Sequence, residues 1–451
     1  MRAKVNRRGF LRGAAGAGAA AAMAPAILAE SRPGKTDDLN LAILGAGSHG
    51  RDLVAYALKV PGLRFRAVCD IWPYNARYLQ RRLQAYRHDA KVYGDYRDLL
   101  ASEKDLDAAI IATPDSFHAE QAAACLEAGL HVYCEKEMSS TIEGARAIVR
   151  AARRTGRLVQ VGRQHRSNPR YHAAYELIHA KGALGRVTHV SGQWHGHKRL
   201  RIGWPQGSEL DLGALKRYGY ASMEELRNWR WLRKFSGGAI ANLGSHQLDV
   251  FNWLLGRPPK AVYASGGLDT YDFFEWYDNI SCIYEWEAPG SAGAEPGSAG
   301  APAGSAGAKP GGGGTVRGTY EINNTCEAGG FFETFSGTLG TLTISEDATK
   351  GGLWREVQAP VAEWEKDLAA RMPPVAGAAS ALTRSFGPIP EDDTKGVYER
   401  HLENFADAIR GRARLACPPE TGLVACVTAL KANEALAAGR RLDLWPEDFT
   451  V

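Results

Sequence analysis

Apolar residues between positions 39 and 161 occur in short runs that alternate with amphipathic stretches. The runs have the length of buried strands and the stretches between them have helical spacing. This alternation predicts a parallel, doubly wound sheet with helices on both faces. The predicted strands are Leu39–Leu44, Phe65–Cys69, Ala108–Ala112, His131–Cys134 and Leu158–Val161. The predicted helices are Arg51–Lys59, Ala119–Ala128 and Thr141–Arg154.

The pattern changes after Arg163, where strands with alternating polarity follow one another and helices are fewer. Such a pattern predicts an α+β domain built on a largely antiparallel, open sheet. We therefore expect one domain at 37–162 and a second at 163–451, the usual outcome for a chain of 451 residues. The predicted strands are Val187–Trp194, Lys260–Ser265, Asn279–Glu287, Val316–Asn323, Phe331–Thr338 and Gly340–Ile344. The predicted helices are Arg170–His179, His246–Leu255, Tyr398–Arg410 and Leu423–Ala437.

One low-complexity stretch, 288–314, interrupts the second domain with repeats of Gly-Ser-Ala-Gly. It contains no apolar residue larger than alanine, so it has nothing to bury in a core. We expect a disordered insert between two strands, without a catalytic role.

The first 30 residues have the composition of an export signal. The segment Asn6–Arg12 has the twin-arginine pattern, an apolar Ala/Gly-rich run follows, and Ala24-Pro25-Ala26 supplies small residues for cleavage. The run is too short to remain as a stable membrane anchor. We therefore expect a periplasmic or otherwise exported protein.

The formal net charge of +5 is accounted for by the five basic residues at positions 2–12, and the rest of the chain is close to neutral. A neutral surface argues against nucleic acid or an acidic membrane as partner. The seven cysteines form no CxxC pair or zinc-like spacing, and most are expected to be buried apolar residues.

The first predicted strand runs into Gly45-Ala46-Gly47-Ser48-His49-Gly50, a G-x-G-x-x-G turn at the start of a helix. Glycines at these positions let the backbone approach a pyrophosphate. Asp70 ends the next strand, where a carboxylate binds the ribose 2′-OH and repels a 2′-phosphate. No basic residue follows it in Ile71-Trp72-Pro73. The sequence thus predicts a dinucleotide site that takes NAD in preference to NADP.

Further motifs follow in a fixed order: Ala112–His118, Cys134-Glu135-Lys136, Gly237-Gly238 and Gly244–Asp249. Together with the glycine turn, they resemble the glucose–fructose oxidoreductase / inositol dehydrogenase family (Gfo/Idh/MocA). The resemblance extends from Leu39 to Phe449 apart from the insert. It implies a Rossmann domain, an open sheet that makes homo-oligomer contacts, and a nicotinamide cofactor. It assigns the cofactor site to Gly45, Gly47, Ser48, His49, Gly50, Asp70, Thr113, Pro114, His118, Glu135 and Lys136.

The resemblance also implies catalytic roles. The family's lysine between nicotinamide and substrate corresponds to Lys136, and its acid–base histidine corresponds to His246. Two positions depart from the family pattern. Asn242 replaces an aspartate four residues before the histidine, where it can hydrogen-bond the ring but cannot neutralise an imidazolium, and Glu137 replaces the proline after the lysine.

Aromatic and hydrogen-bonding residues of the second domain are candidates for the substrate pocket. Aromatic rings stack on sugar faces, while His and Arg side chains bind hydroxyl groups. The tripeptide Gln164-His165-Arg166, which follows the last Rossmann strand, is a further candidate. The predicted substrate residues are Arg166, His195, His197, Trp229, Arg230 and His246. His195 and His197 would project on one side of a strand, but without a third ligand we expect no metal site.

These assignments favour a nicotinamide-dependent oxidoreductase that acts on a sugar or polyol and holds its cofactor tightly. Tight binding is expected because NAD is not freely available outside the cytoplasm. Two alternatives remain open at this point. One is a redox-neutral glycosidase that oxidises the sugar transiently. The other is a non-catalytic sugar-binding relative, an alternative suggested by Asn242 in place of the family's aspartate.

Overall fold

A computed structural model describes residues 37–196, 200–288, 314–372, 383–390 and 395–451. The export signal at 1–30, nearly all of the insert and His197 lie outside these residues. In the described part of the chain, no helix has both the length and the apolar character needed to cross a bilayer. Cys326 is exposed, and the other six cysteines are buried and free, as expected for most of them.

The first sheet has six parallel strands in the order β3-β2-β1-β4-β5-β6, which confirms the predicted Rossmann topology. The strand order reverses between β1 and β4, which are parallel neighbours, and ligands bind at this position in such sheets. The strands are β1 Leu39–Leu44, β2 Leu63–Cys69, β3 Lys91–Tyr93, β4 Ala108–Ile111, β5 His131–Cys134 and β6 Val159–Val161. The helices are α1 Ser48–Ala57, α2 Pro73–Ala85, α3 Tyr96–Ser102, α4 Asp115–Glu127 and α5 Ile142–Thr155.

Local signals explain the ends of these helices. The Thr141 side chain accepts a hydrogen bond from Gly144 N at the start of α5, and Gly156 ends that helix in the left-handed conformation. The prediction missed α2, β3 and α3. The helix α2 buries only Asn75, Ala76, Leu79 and Leu83 in a largely polar sequence, so few apolar residues mark it.

The second sheet has nine strands in the order β14-β13-β12-β11-β7-β10-β9-β8-β15. All neighbours are antiparallel except β7 and β10, so the largely antiparallel prediction is confirmed. The strands are β7 Val187–His195, β8 Ala261–Gly267, β9 Asn279–Glu287, β10 Thr315–Asn323, β11 Phe331–Gly337, β12 Gly340–Ile344, β13 Gly352–Glu356, β14 Thr383–Phe386 and β15 Leu442–Asp443.

Helices pack on one face of this sheet, while Tyr263 and Ile283 remain exposed on the other. The remaining helices are α6 Pro169–His179, α7 Leu212–Arg217, α8 Met223–Arg227, α9 Ser245–Leu255, α10 Trp364–Arg371, α11 Val397–Ile409 and α12 Pro419–Ala438. A wider turn, Ile240–Gly244, leads directly into α9.

The C-terminal helix α11 does not follow the division at residue 163. Its Leu402, Phe405 and Ala406 belong to the apolar cluster of β1 and α1. The Gln160 side chain in β6 also donates a hydrogen bond to the backbone oxygen of His401. The Rossmann half is therefore completed by a segment from the end of the chain.

Candidate active site

The glycine turn has the geometry that a dinucleotide requires. Gly45 has a positive φ of 94°, and a Cβ there would lie 2.5 Å from the carbonyl oxygen of Ala112. A Cβ on Gly50 would likewise meet the carbonyl oxygen of Gly45. At Gly47, by contrast, a Cβ would have no described neighbour within 4 Å and would project into the cleft, and no described side chain caps the start of α1. The helix N-terminus is thus open to a pyrophosphate.

Asp70 lies at the end of β2 and lines the same cleft. Its carboxylate accepts hydrogen bonds of 2.8 Å from Ala46 N and Trp72 N, which fix its orientation. The local sequence showed no basic residue, yet the fold brings Arg51 and Arg227 close enough to Asp70 for electrostatic interaction. The guanidinium of Arg227 lies over the Trp72 ring, 5.2 Å from its centroid.

A segment of the second domain covers this cleft, which has a volume of about 440 Å³. Ile202, Tyr218, Tyr220 and Arg227 line it opposite the glycine turn. The Trp72 side chain donates a hydrogen bond to the backbone oxygen of Ser208 and so joins the cover to the Rossmann edge. The adenosine half of a dinucleotide would therefore be enclosed between the two domains.

Lys136 follows β5 and reaches across to the turn before α9. Its Nζ donates a 2.7 Å hydrogen bond to the backbone oxygen of Asn242. Burial lowers the pKa of Lys136, although Glu135 and Asp115 oppose this shift. The backbone oxygen of Asn242 thus holds the ammonium group of Lys136 at the cavity between the two elements.

The replacement of the family's proline by Glu137 does not add a carboxylate to the pocket. Glu137 is fully buried, and both of its oxygens lie 2.7 Å from one guanidinium nitrogen of Arg163. Arg163 in turn donates a 2.6 Å hydrogen bond to Ser245 Oγ at the start of α9. This Glu137–Arg163–Ser245 network connects the turn that carries Lys136 with the helix that carries His246.

His246 lies at the first turn of α9 and faces Lys136 across a second cavity of about 340 Å³. Burial, with further contributions from Lys136 and His165, lowers the pKa of His246 well below its usual value. The ring is therefore neutral near pH 7 and able to accept a proton. Its Nδ1 has no hydrogen-bond partner among the described residues, so the expected contact with the Asn242 side chain is not formed.

The second cavity adjoins the nucleotide cleft, because the same side chains line both. The shared residues are Ser48, His49, Ala112, Thr113, Trp229 and Arg230. A dinucleotide lying across the glycine turn would therefore end at Lys136 and His246. Since the chain itself positions these groups, the residues present fit a nicotinamide cofactor.

Comparison with known proteins agrees with this geometry. Residues 39–163 match the oxidoreductase family with an NAD-binding Rossmann fold, and residues 171–301 match the GFO/IDH/MocA C-terminal domain. The chain belongs to the Gfo/Idh/MocA family.

Two curated relatives are inositol 2-dehydrogenases. The protein of Salmonella typhimurium is 29% identical over 226 residues, which cover 50% of this chain and 56% of the relative. The protein of Rubrobacter xylanophilus is 33% identical over 238 residues, which cover 52% of this chain and 57% of the relative. The chain thus spans little more than half the length of these relatives.

Solved structures of other proteins share the fold along most of this chain. Levoglucosan dehydrogenase in complex with NADH has a TM-score of 0.63 at 18% identity, covering 90% of this chain and 99% of the other. Aldose-aldose oxidoreductase from Caulobacter crescentus has a TM-score of 0.63 at 20% identity, covering 90% and 100%. At such identities the likeness establishes the fold alone.

Two of the predicted substrate residues, Arg166 and His195, lie outside the cavity that Lys136 and His246 line. Arg166 forms two 2.8 Å hydrogen bonds with Asp249 and lines a separate surface cavity. His195 lies on the open face of β7, where its Nε2 is 2.8 Å from Glu321 Oε1. Because side chains alternate along a strand, Trp194 faces the pocket in its place.

Other predicted residues lie where they were expected. Trp229 and Arg230 line the pocket, Pro114 and Thr113 line the cleft, and Glu135 lines the pocket floor. His49 Nε2 lies 3.1 Å from Glu135 Oε1. Burial raises the pKa of Glu135, but His49 and Lys136 outweigh it and hold this pKa below its usual value.

His118 supports the site from behind. It is buried, and its ring nitrogens lie 2.7 Å from the backbone oxygen of Glu137 and 2.8 Å from that of Thr113. It lines neither cavity. We infer that His118 connects the two loops that form the cofactor site and does not itself contact the cofactor.

Sequence reasoning also missed residues of the pocket. Asp52, Asp115 and Tyr398 line it, and Tyr398 comes from α11 at the far end of the chain. Its ring packs edge-on against His49, with centroids 5.6 Å apart. No motif in the sequence pointed to it. Among the described residues, no three His, Cys, Asp or Glu side chains are grouped as metal ligands.

Proposed function

We propose that this protein is an NAD-dependent dehydrogenase that oxidises a hydroxyl group of a sugar or cyclic polyol. The observation that carries the proposal is the convergence of Lys136 and His246 on one cavity continuous with the nucleotide cleft. A bound NAD would accept the hydride from the carbon that bears the hydroxyl. The names of the relatives, inositol and levoglucosan dehydrogenases, support this substrate class.

The proposed roles follow from the environments of the two side chains. Lys136 donates a hydrogen bond to the reacting oxygen and stabilises its developing negative charge. His246, neutral because its pKa is lowered, receives the hydroxyl proton. Trp194 and Trp229 offer aromatic faces to the ring of the substrate, and Arg230 offers donors to its hydroxyl groups.

The test is to purify the protein without added nucleotide and record the absorbance of reduced nicotinamide. Myo-inositol, D-glucose, levoglucosan and a nitrophenyl glycoside are then added one at a time. Growth of the reduced band with a keto product supports the dehydrogenase. Release of nitrophenol without net reduction would point instead to a redox-neutral glycosidase. Failure of every compound to reduce bound or added NAD would contradict the proposal.

We further propose that the cofactor is NAD and is held tightly. The enclosed cleft and the bond from Trp72 to Ser208 support slow release. Copurification of stoichiometric nucleotide is expected, and mass spectrometry of the denatured protein checks both its identity and its amount.

Replacing Asp70 by asparagine should shift the preference toward NADP. The amide keeps an acceptor for Trp72 N but removes the charge that repels a 2′-phosphate, while Arg51 and Arg227 remain nearby. We expect the ratio of the NADP and NAD dissociation constants to change about tenfold or more, equivalent to about 1.4 kcal/mol. Titration calorimetry on nucleotide-free protein measures both constants.

The matched control for this change is Asp95→Asn, which removes another carboxylate from the same cleft. Asp95 caps α3 by accepting from Arg97 N, and asparagine caps helices equally well. If both variants change the ratio equally, or if Asp70→Asn leaves it unchanged, Asp70 does not select the cofactor.

We also propose export by the twin-arginine pathway and assembly into a homo-oligomer. The Asn6–Arg12 segment supports the first, and the uncovered sheet face with Tyr263 and Ile283 supports the second. Cell fractionation of the full chain and of its Arg7→Lys/Arg8→Lys variant tests export. Sedimentation of the purified protein tests assembly.

A further inference from the structure

A second histidine lies directly behind His246. His165, in the short helical turn Gln164–Ser167 after β6, has its ring centroid 5.3 Å from that of His246, with the planes tilted by 47°. Both rings are buried. Within the described residues, the Nδ1 atoms of both lack a hydrogen-bond partner.

His165 is held in a way that His246 is not. Its Nε2 contacts Glu346 Oε1, and its ring stacks on Tyr171 with centroids 4.7 Å apart and planes within 6°. Glu346 is about one-third exposed, with 30% of its side chain accessible, so it connects the buried pair to solvent. Tyr171 in turn donates a 3.0 Å hydrogen bond to the buried Glu333.

We propose that His165 and Glu346 form a proton relay that receives the hydroxyl proton from His246. The relay rests on the proposed dehydrogenase function. In the step, the substrate C–H bond breaks with transfer of a hydride to NAD, and the O–H proton moves to His246. That proton then moves to His165, where the Glu346 carboxylate offsets the imidazolium charge, and leaves through Glu346 to water.

The relay offers the proton a stabilising carboxylate, which the neutral side chain of Asn242 cannot provide. A carboxylate beside His246 would stabilise its protonated form, but the side chain at 242 is a neutral amide and the ring has no described partner. The protonated form of His246 is disfavoured by burial and by its positive neighbours, so a proton placed there has a strong tendency to move on. His165 differs because Glu346 outweighs burial and raises the pKa of His165. The contact with Glu346 therefore makes His165 the better site for the proton in this pair.

Other charged groups surround the pair and set its balance. Positive groups face His246, and carboxylates face His165, which places the more favourable site for the proton at His165. The positive groups facing His246 are Lys136 and Arg163, and the ring of His49 also faces it. The carboxylates facing His165 are Glu346, Glu333 and Asp249, and burial raises the pKa of Glu333 to about 7.

The first experiment does not require turnover. NMR of the nucleotide-bound protein with ¹³C-labelled histidine follows the pKa values of His165 and His246, assigned with single substitutions. Glu346→Gln should lower the pKa of His165, and His165→Gln should raise that of His246 by removing a positive neighbour. If His246 titrates identically in parent and His165→Gln protein, the two rings do not share a proton and the relay is excluded.

The second experiment measures the first-turnover rate of nicotinamide reduction against pH, with whichever of myo-inositol, D-glucose or levoglucosan reacts. His165 must be neutral to accept a proton, so its raised pKa sets the acid limb of the parent profile. In Glu346→Gln that limb should move to lower pH, and the plateau rate should fall about 10- to 100-fold, less than the 10²–10⁴-fold expected for loss of a general base.

The control is Glu321→Gln, which removes the carboxylate from a His–Glu contact outside the cavity, between Glu321 and His195 on the open sheet face. It should leave the rate and the acid limb unchanged. A Glu346→Gln profile that overlays those of the parent and the control would overturn the relay even if the NMR coupling is present. If no sugar reduces the cofactor, the dehydrogenase proposal fails, and the NMR titration still decides whether the protonation states of the two histidines are coupled.

Discussion

Lys136→Met protein is expected to bind nucleotide like the parent but to lose hydride transfer by about 10²–10³ in kcat, the usual effect of removing a preorganised donor from a developing oxyanion. Methionine fills the same volume, so the cavity keeps its shape while the hydrogen bond is lost. The substitution also removes the hydrogen bond from Lys136 to the backbone oxygen of Asn242, which is only one contact between the two elements. Single-turnover kinetics with calorimetric nucleotide binding separate the two effects.

The pH profile provides a second readout for Lys136. The lysine must be protonated to donate, and burial lowers its pKa, so the alkaline limb of kcat/KM in the parent should lie below the ordinary lysine value of 10.5. That limb should disappear in Lys136→Met. The matched control is Lys431→Met. Lys431 lies on α12, outside the cavity, and pairs with Glu434 and Asp448. Equal losses in both variants, or full activity in Lys136→Met, would contradict the assigned role.

The sequence predicted the glycine turn of the NAD-binding Rossmann fold because this motif encodes backbone geometry. Gly45 needs a positive φ and Gly50 a close approach, and both requirements are local. The assignment of Lys136 and His246 came from the family resemblance, and the structure places both side chains at one cavity. What the motifs could not show was their surroundings, such as Arg51 and Arg227 beside Asp70, which only the fold assembles.

Two predicted substrate residues, His195 and Arg166, lie outside the cavity of Lys136 and His246, each for its own reason. The strand containing His195 was predicted, but a periodicity of two leaves open which set of side chains faces the core, and the larger aromatic residue, Trp194, is the one that faces inward. In Gln164-His165-Arg166 the charged residue was chosen, whereas Arg166 pairs with Asp249 and His165 lies beside His246. Pairing with a distant carboxylate cannot be read from a single sequence.

The Glu137–Arg163–Ser245 network is expected to have the largest effect on stability. Arg163→Met leaves a fully buried carboxylate unpaired, and breaking such a pair costs about 3–5 kcal/mol in the free energy of unfolding. This is a large share of the roughly 5–15 kcal/mol that stabilises a typical domain. Glu137→Leu, which leaves the guanidinium unpaired, should cost a similar amount. Urea denaturation followed by circular dichroism measures both.

The double variant Glu137→Leu/Arg163→Met separates the effect of an unpaired buried charge from the effect of changed side-chain volume. Replacing both charges with apolar groups of similar size is often neutral, so most of the lost stability should return. The exposed pair of Arg64 and Asp38 is the control, since Arg64→Met should cost no more than about 1 kcal/mol. Losses that simply add in the double variant would show that the two side chains act independently.

Recovery of stability should not bring recovery of activity. The double variant still lacks the 2.6 Å hydrogen bond from Arg163 to Ser245, which connects the Lys136 turn to the start of α9. Without it, the spacing between Lys136 and His246 is less well fixed, and small displacements of reacting groups reduce rates strongly. We expect kcat to stay about tenfold or more below the parent at unchanged nucleotide affinity. A double variant with parental stability and parental kcat would show that Glu137 and Arg163 serve the fold alone.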